Sequence, residues 1–183
     1  MALILAGDQA IEVVRLMVGA TEEAFALIEP ALETLAPPGG YAHVGPPGAG
    51  HFTKMVHNGI EYGVMQAYAE GFELLARSDL HVDPAQIAEL WRHGSVIRSW
   101  LLDLTARALQ DDPRLENLAP YVEDSGEGRW TVETAVELGV PTPAIAAALF
   151  ARFASRDDDS FALKLLAAMR RQFGGHAVRQ RED

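Results

Sequence analysis

The chain has 183 residues, a formal net charge of -11 and no cysteine. That length supports one well-buried core with appendages rather than two full domains. The charge and the lack of any basic run exclude a protein that grips nucleic acid or an anionic membrane through its overall field, and the missing thiols exclude disulfide frameworks, thiolate nucleophiles and Cys-type zinc sites. Residues 1–20 carry no basic leader region and meet Glu12 and Arg15 before a membrane span could be completed, so neither a signal peptide nor a transmembrane helix is expected. A cytoplasmic protein follows as the plain expectation.

Residues 13–18 are β-branched and apolar and run into Gly19 and Ala20, which predicts one strand, the only good strand of the chain. With nothing else to supply parallel neighbours, that strand should be poorly paired or paired across a subunit boundary. Thr21 then caps a helix to Leu35, with Glu22 and Glu23 complementing the dipole, and the breakers at 36–40 stop it. The segment 45–50, rich in glycine and proline, leads into a long helix from His51 to Arg77. Asp83 and Pro84 open a further helix that either continues or kinks past Gly94 to about Leu109. Residues 124–129 read as a loop, with Thr131 capping a helix to Gly139. Thr142 and Pro143 start another through Phe153, and Asp159 or Ser160 caps a last one through Phe173. The fold class predicted is mostly α, a helical bundle around a long central helix.

The informative stretch is 50–63. Lys54, His57, Asn58 and Glu61 fall at i, i+3, i+4 and i+7, so four polar groups share one helical face opposite Met55, Val56 and Ile60. Such a face is most often merely solvated. Three features favour chemistry. Lys54 and Lys164 are the only lysines among 15 basic residues, and lysine, unlike arginine, can act as a proton carrier near neutral pH. Gly59 and Gly63 sit inside the helix at a cost of up to about 1 kcal/mol each, which suits close approach of a backbone or ligand. A lysine, a histidine, an amide and a carboxylate together suit proton shuttling on a polyhydroxylated substrate.

Other chemistries find less support. His51 and His57 are six apart and face different ways, so no metal site is expected. No nucleophile elbow is present, and Ser95 and Ser99 near His93 read as helix surface. Trp91, Trp100 and Trp130 read as core or interface anchors, and the apolar stripe 144–153 reads as core.

The run 50–75 resembles the signature helix of the 6-phosphogluconate dehydrogenases. The likeness extends to Leu16-Met17-Val18-Gly19, Gly128-Arg129-Trp130-Thr131, Phe150-Ala151-Arg152 and residues 170–176, and the short spacing resembles the short-chain bacterial branch. The resemblance implies an oxidoreductase of gluconate utilisation and the pentose phosphate pathway, oxidatively decarboxylating 6-phosphogluconate to ribulose 5-phosphate with NAD or NADP. It implies catalytic roles for Lys54, as general base and then acid, and for Glu61, which would protonate C1. His57 and Asn58 would hold substrate or cofactor. Tyr62 and Arg152 would bind the phosphate, and Arg170 and His176 would reach a neighbouring subunit's site. Ser125 stands where longer members place a phosphate-binding lysine.

Residues 1–40 would then be the remnant edge of a cofactor domain, 41–176 the helical substrate-binding and oligomerisation domain, and 177–183 a tail. No Gly-x-Gly-x-x-Gly turn occurs, and the glycines of 45–50 lack a preceding strand. The lone strand would be left from a missing Rossmann-type domain, and neither NAD nor NADP should bind tightly to this chain alone. The expected partners are 6-phosphogluconate, further copies of the chain in a homodimer, and a Rossmann-domain chain if that domain is separate; neither nucleic acid nor membrane is expected. Two other readings stay open: a catalytically silent oligomeric sugar-phosphate binding module, and a fragment of another 3-hydroxyacid dehydrogenase. An upstream reading frame encoding a nucleotide-binding domain would separate the first reading from the second.

Overall fold

The computed structural model describes residues 15–174 together with 177 and 179. Seven helices, α1 (Glu22–Leu35), α2 (Ala49–Arg77), α3 (Pro84–Trp91), α4 (Trp100–Asp111), α5 (Glu127–Leu138), α6 (Pro143–Ala154) and α7 (Phe161–Gly174), accompany two short strands, β1 (Leu16–Gly19) and β2 (Tyr41–Gly45). The mostly α fold class is the observed one, and α2 is the axis on which α5, α6 and the strands pack.

The expected lone strand is corrected. β1 pairs in parallel with β2, Leu16 opposite Tyr41 and Val18 opposite His43, in a two-stranded sheet. Residues 41–45 escaped recognition because the run is short, is flanked by glycines and carries His43 and Ala42 between its apolar positions. The pairing is cemented off the ladder as well: His43 Nε2 bonds the Ala20 carbonyl at 2.8 Å, and its ring stacks on Phe25. Leu16 and Val18 close a small core with Leu32 of α1.

Three further expectations also need adjustment. The stretch from Asp83 to Leu109 is two helices, because Gly94 takes a left-handed turn (φ 80°) and Ser99 caps α4 by accepting from the Leu102 amide. Ser99 also bonds the Tyr68 hydroxyl at 2.8 Å, a structural use for that serine. Thr131 is not a cap. α5 starts a turn earlier, at Glu127 behind Gly126, and Thr131 lies buried inside it. The glycines of 45–50 do follow a strand, β2, contrary to expectation.

Two cores lie along α2. Phe72 joins Ala88, Leu102, Ala106 and Leu109, with Trp91 tilted on Phe72 at 5.6 Å between centroids. Tyr62 joins Ala148 and Leu149 of α6. Trp100 and Trp130 are about half exposed, and within the 144–153 stripe Phe150 is largely exposed although Ala148 and Leu149 are buried.

Candidate functional site

The site is organised by how closely α5 crosses α2. A Cβ on Gly59 would come within 2.6 Å of the Thr131 methyl, and one on Gly128 within 2.5 Å of the Tyr62 ring, so both positions demand glycine for close approach. Thr131 exploits the contact: its hydroxyl sits 2.9 Å from the Met55 carbonyl of α2 and 2.8 Å from the Glu127 carbonyl of its own helix. The sequence run Gly128-Arg129-Trp130-Thr131 thereby acquires a physical reading, because Gly128 meets Tyr62 and Thr131 meets Gly59. Gly63, by contrast, faces open space, so only one of the two helix glycines is used for packing.

On α2 the predicted row forms. Lys54 Nζ donates to Asn58 Oδ1, His57 Nδ1 lies 3.3 Å from the same oxygen, and it lies 3.9 Å from Glu61 Oε2. Lys54, Asn58 and Glu61 are partly buried and His57 is exposed. Every one of these bonds stays within α2. Ile60, expected to lie on the packed side, is instead 55% exposed.

One residue beyond the row, Tyr62 is buried at 5% exposure. The Arg152 guanidinium of α6 lies 3.6 Å above its ring centroid, and its hydroxyl accepts from the Ser125 amide at 3.2 Å. Arg152 also donates to the Glu123 carbonyl at 2.9 Å. Among the described residues nothing takes the Tyr62 hydroxyl hydrogen. Ser125 therefore serves through its backbone, while its hydroxyl turns to Glu127 at 2.5 Å. Arg170 stands exposed on α7 and is not brought to this cluster, and His176 lies outside the described residues.

Sequence reasoning missed Asp124. Its side chain is 2% exposed and accepts from Arg129 at 2.7 and 3.0 Å and from Arg156 at 2.9 Å. Both guanidinium groups also lie over Phe153, at 4.5 and 5.3 Å. The Arg129 bonds first, then those of Arg156, hold the Asp124 carboxyl at about 2 against an ordinary 3.8, outweighing the desolvation that would raise it. Asp124 and Arg129, five apart across a helix start, were a readable signal; Arg156, 32 residues on, was not.

The glycines around the start of α2 do not fit a dinucleotide cradle. Gly45 and Gly48 precede α2 and Gly50 lies in its first turn, at the wrong spacing for such a cradle, and a Cβ on Gly50 would run into the Met17 carbonyl oxygen, so that glycine seats α2 against β1. Among the described residues no cluster of three His, Asp or Glu could hold a metal, and no helix is long and apolar enough to cross a membrane.

Comparison with known proteins is consistent with this geometry. The YqeC protein of Bacillus subtilis (strain 168) is 48% identical over 165 residues, 90% of this chain and 56% of that protein. An NAD(+)-dependent, decarboxylating 6-phosphogluconate dehydrogenase of Haloferax volcanii is 43% identical over 170 residues, 92% of this chain and 57% of the relative. The chain thus spans somewhat over half the length of these relatives. Among solved structures, Plasmodium falciparum 6-phosphogluconate dehydrogenase, studied in apo form and with NADP+ or 6-phosphogluconate, superposes with a TM-score of 0.64 at 27% identity, covering 90% of this chain and 37% of that one. The sequence profile described as "6-phosphogluconate dehydrogenase, C-terminal domain" matches residues 50–164, and the chain belongs to that family.

Proposed function

We propose that this chain supplies the substrate-binding and proton-transfer half of an enzyme that converts 6-phosphogluconate to ribulose 5-phosphate and carbon dioxide. The observation that carries the reading is continuity. The row Lys54, His57, Asn58, Glu61 runs along α2 directly into the Tyr62 and Arg152 pair, so proton-transfer groups and an anion-binding end lie on one helix.

The two-electron acceptor for oxidation at C3 would be supplied by NAD or NADP. The described residues form no cradle for it, and we place it on a nucleotide-binding domain carried with this chain or supplied separately. A two-stranded parallel sheet supports that placement, because parallel strands normally belong to larger covered sheets. On this reading residues 1–40, together with the β2 strand that pairs with β1, edge the cofactor domain, and the helices from α2 onward form the substrate domain.

This chain's own residues handle protons and orientation. Lys54 takes the C3 hydroxyl proton as C3 is oxidised, then returns it to the C3 oxygen as the C1 carboxylate leaves as carbon dioxide. Glu61 delivers a proton to the former C2, now C1 of the five-carbon enediol, as Lys54 takes the proton back from the adjacent enol hydroxyl, completing the ketose. Asn58 bridges Lys54 and His57 and so keeps both aimed at the sugar. Tyr62 donates its hydroxyl hydrogen to the phosphate, and Arg152 offers a planar fork to it.

A homodimer is part of the proposal. α7 stands apart from the other helices with Phe161, Leu163, Leu166 and Met169 each more than half exposed, an apolar face that a second copy would cover while bringing Arg170 and His176 to the site. We place the assembly in the cytoplasm.

The test is reconstitution. Without a nucleotide-binding domain the chain should bind 6-phosphogluconate weakly and reduce neither NAD nor NADP; with the domain added, turnover should appear. Lys54→Ala should then lower kcat by about 10³-fold, the range expected for loss of a general acid–base group. Full activity in Lys54→Ala would overturn the mechanism.

A further inference from the structure

We propose that Asp124 is the positioning residue of the phosphate end, a buried carboxylate that clamps the loop before α5 and through it sets Tyr62 and Arg152. That the ligand held there is a phosphate rests on the proposed function; the clamp does not.

Asp124 lies at the meeting point of three elements. Its carboxylate takes a two-bond fork from Arg129 of α5 and a third bond from Arg156, which follows α6. Charge-assisted bonds to a carboxylate this buried are strong, and losing the carboxylate would leave two guanidinium groups facing each other over Phe153. The residues on either side of Asp124 then do the positioning. The Glu123 carbonyl accepts from Arg152, and the Ser125 amide donates to the Tyr62 hydroxyl. Adjacent Cα atoms are about 3.8 Å apart, so fixing residue 124 leaves its two neighbours little room to move. A single side chain thereby holds the guanidinium and the phenol in their stacked arrangement before any ligand arrives, which lowers the ordering cost of binding.

A rival tether exists. The Val122 amide donates to the Ser155 hydroxyl at 3.0 Å, which also ties the loop to α6. If that bond held the loop, Asp124 would be dispensable for position and matter only for stability.

The experiment compares the chain with Asp124→Asn, Asp124→Glu and Ser155→Ala. Two quantities are read: amide hydrogen exchange at Ser125 without ligand, and affinity for 6-phosphogluconate against gluconate, which lacks the phosphate. Asp124→Asn should speed Ser125 exchange and weaken 6-phosphogluconate each by about tenfold, while gluconate changes less than about twofold. Asp124→Glu should recover part of both, and Ser155→Ala should leave both within about twofold. Unchanged Ser125 exchange in Asp124→Asn, or equal weakening of the two ligands, overturns the proposal. If the parent chain binds neither ligand, the phosphate reading fails and the exchange measurement alone judges the clamp. Should Asp124→Asn fail to fold, Arg156→Gln, which removes one of the two partners, is read by the same criteria.

Discussion

The two ends of the site on α2 are built differently. Tyr62 is buried, covered by Arg152 from α6, bonded by the Ser125 amide and pressed against Gly128 of α5, so three separate parts of the chain fix it. Lys54, His57, Asn58 and Glu61, a few residues away on the same helix, bond only to one another among the described residues. The difference teaches where preorganisation lies in this chain. The proposed anion-binding end is finished by tertiary contacts within it, whereas the proposed proton-transfer end is a helix face held only by bonds along its own helix.

The comparison is broken most sharply at Gly128. Gly128→Ala would drive a methyl into the Tyr62 ring, and we expect a loss of about 2–3 kcal/mol in chemical denaturation, whereas Gly63→Ala, with open space above it, should be neutral or slightly stabilising. Equal effects at the two glycines would mean that the crossing of α2 and α5 is looser than described.

Acid should loosen the finished end next. The Asp124 carboxyl is held at about 2 in the folded chain against 3.8 ordinarily, so the unfolded chain binds its proton first. That contribution is full above about pH 4 and is lost as pH falls toward 2. It amounts to at most about 2 kcal/mol, since Arg129 stands half exposed and its share is screened. The pH dependence of urea unfolding should lose this component in Asp124→Asn.

Arg152→Ala should weaken 6-phosphogluconate by about tenfold or more through loss of a charge-assisted bond, measured by calorimetry. At the small end, His57→Ala should shift stability by no more than about 0.5 kcal/mol, because the ring is exposed and its partners lie on its own helix. A large loss there would show that the proton-transfer end is also structurally tied.

Local signals account for much of what was legible beforehand. Thr21 does cap α1, Asp83 caps α3 with Pro84 in the first turn, and Ser160 lies before α7 with its hydroxyl 3.4 Å from the Leu163 amide, because such caps act over three residues. The polar row on α2 was readable for the same reason, being a consequence of helical period alone. Thr131 shows the opposite case. It has the chemistry of a cap, yet Gly126 starts the helix a turn earlier and the hydroxyl is spent on Met55 across the α2 crossing.

By itself the sequence determined the mostly helical class, the helix ends set by caps and breakers, and the residues of the polar row on α2, since each depends on neighbours within about one turn. Only the tertiary structure decided that β1 finds β2, that Arg152 covers Tyr62, and that Asp124 joins Arg129 to Arg156. Those contacts link residues far apart in the chain, and their energy comes from burial and charge pairing that no local pattern encodes.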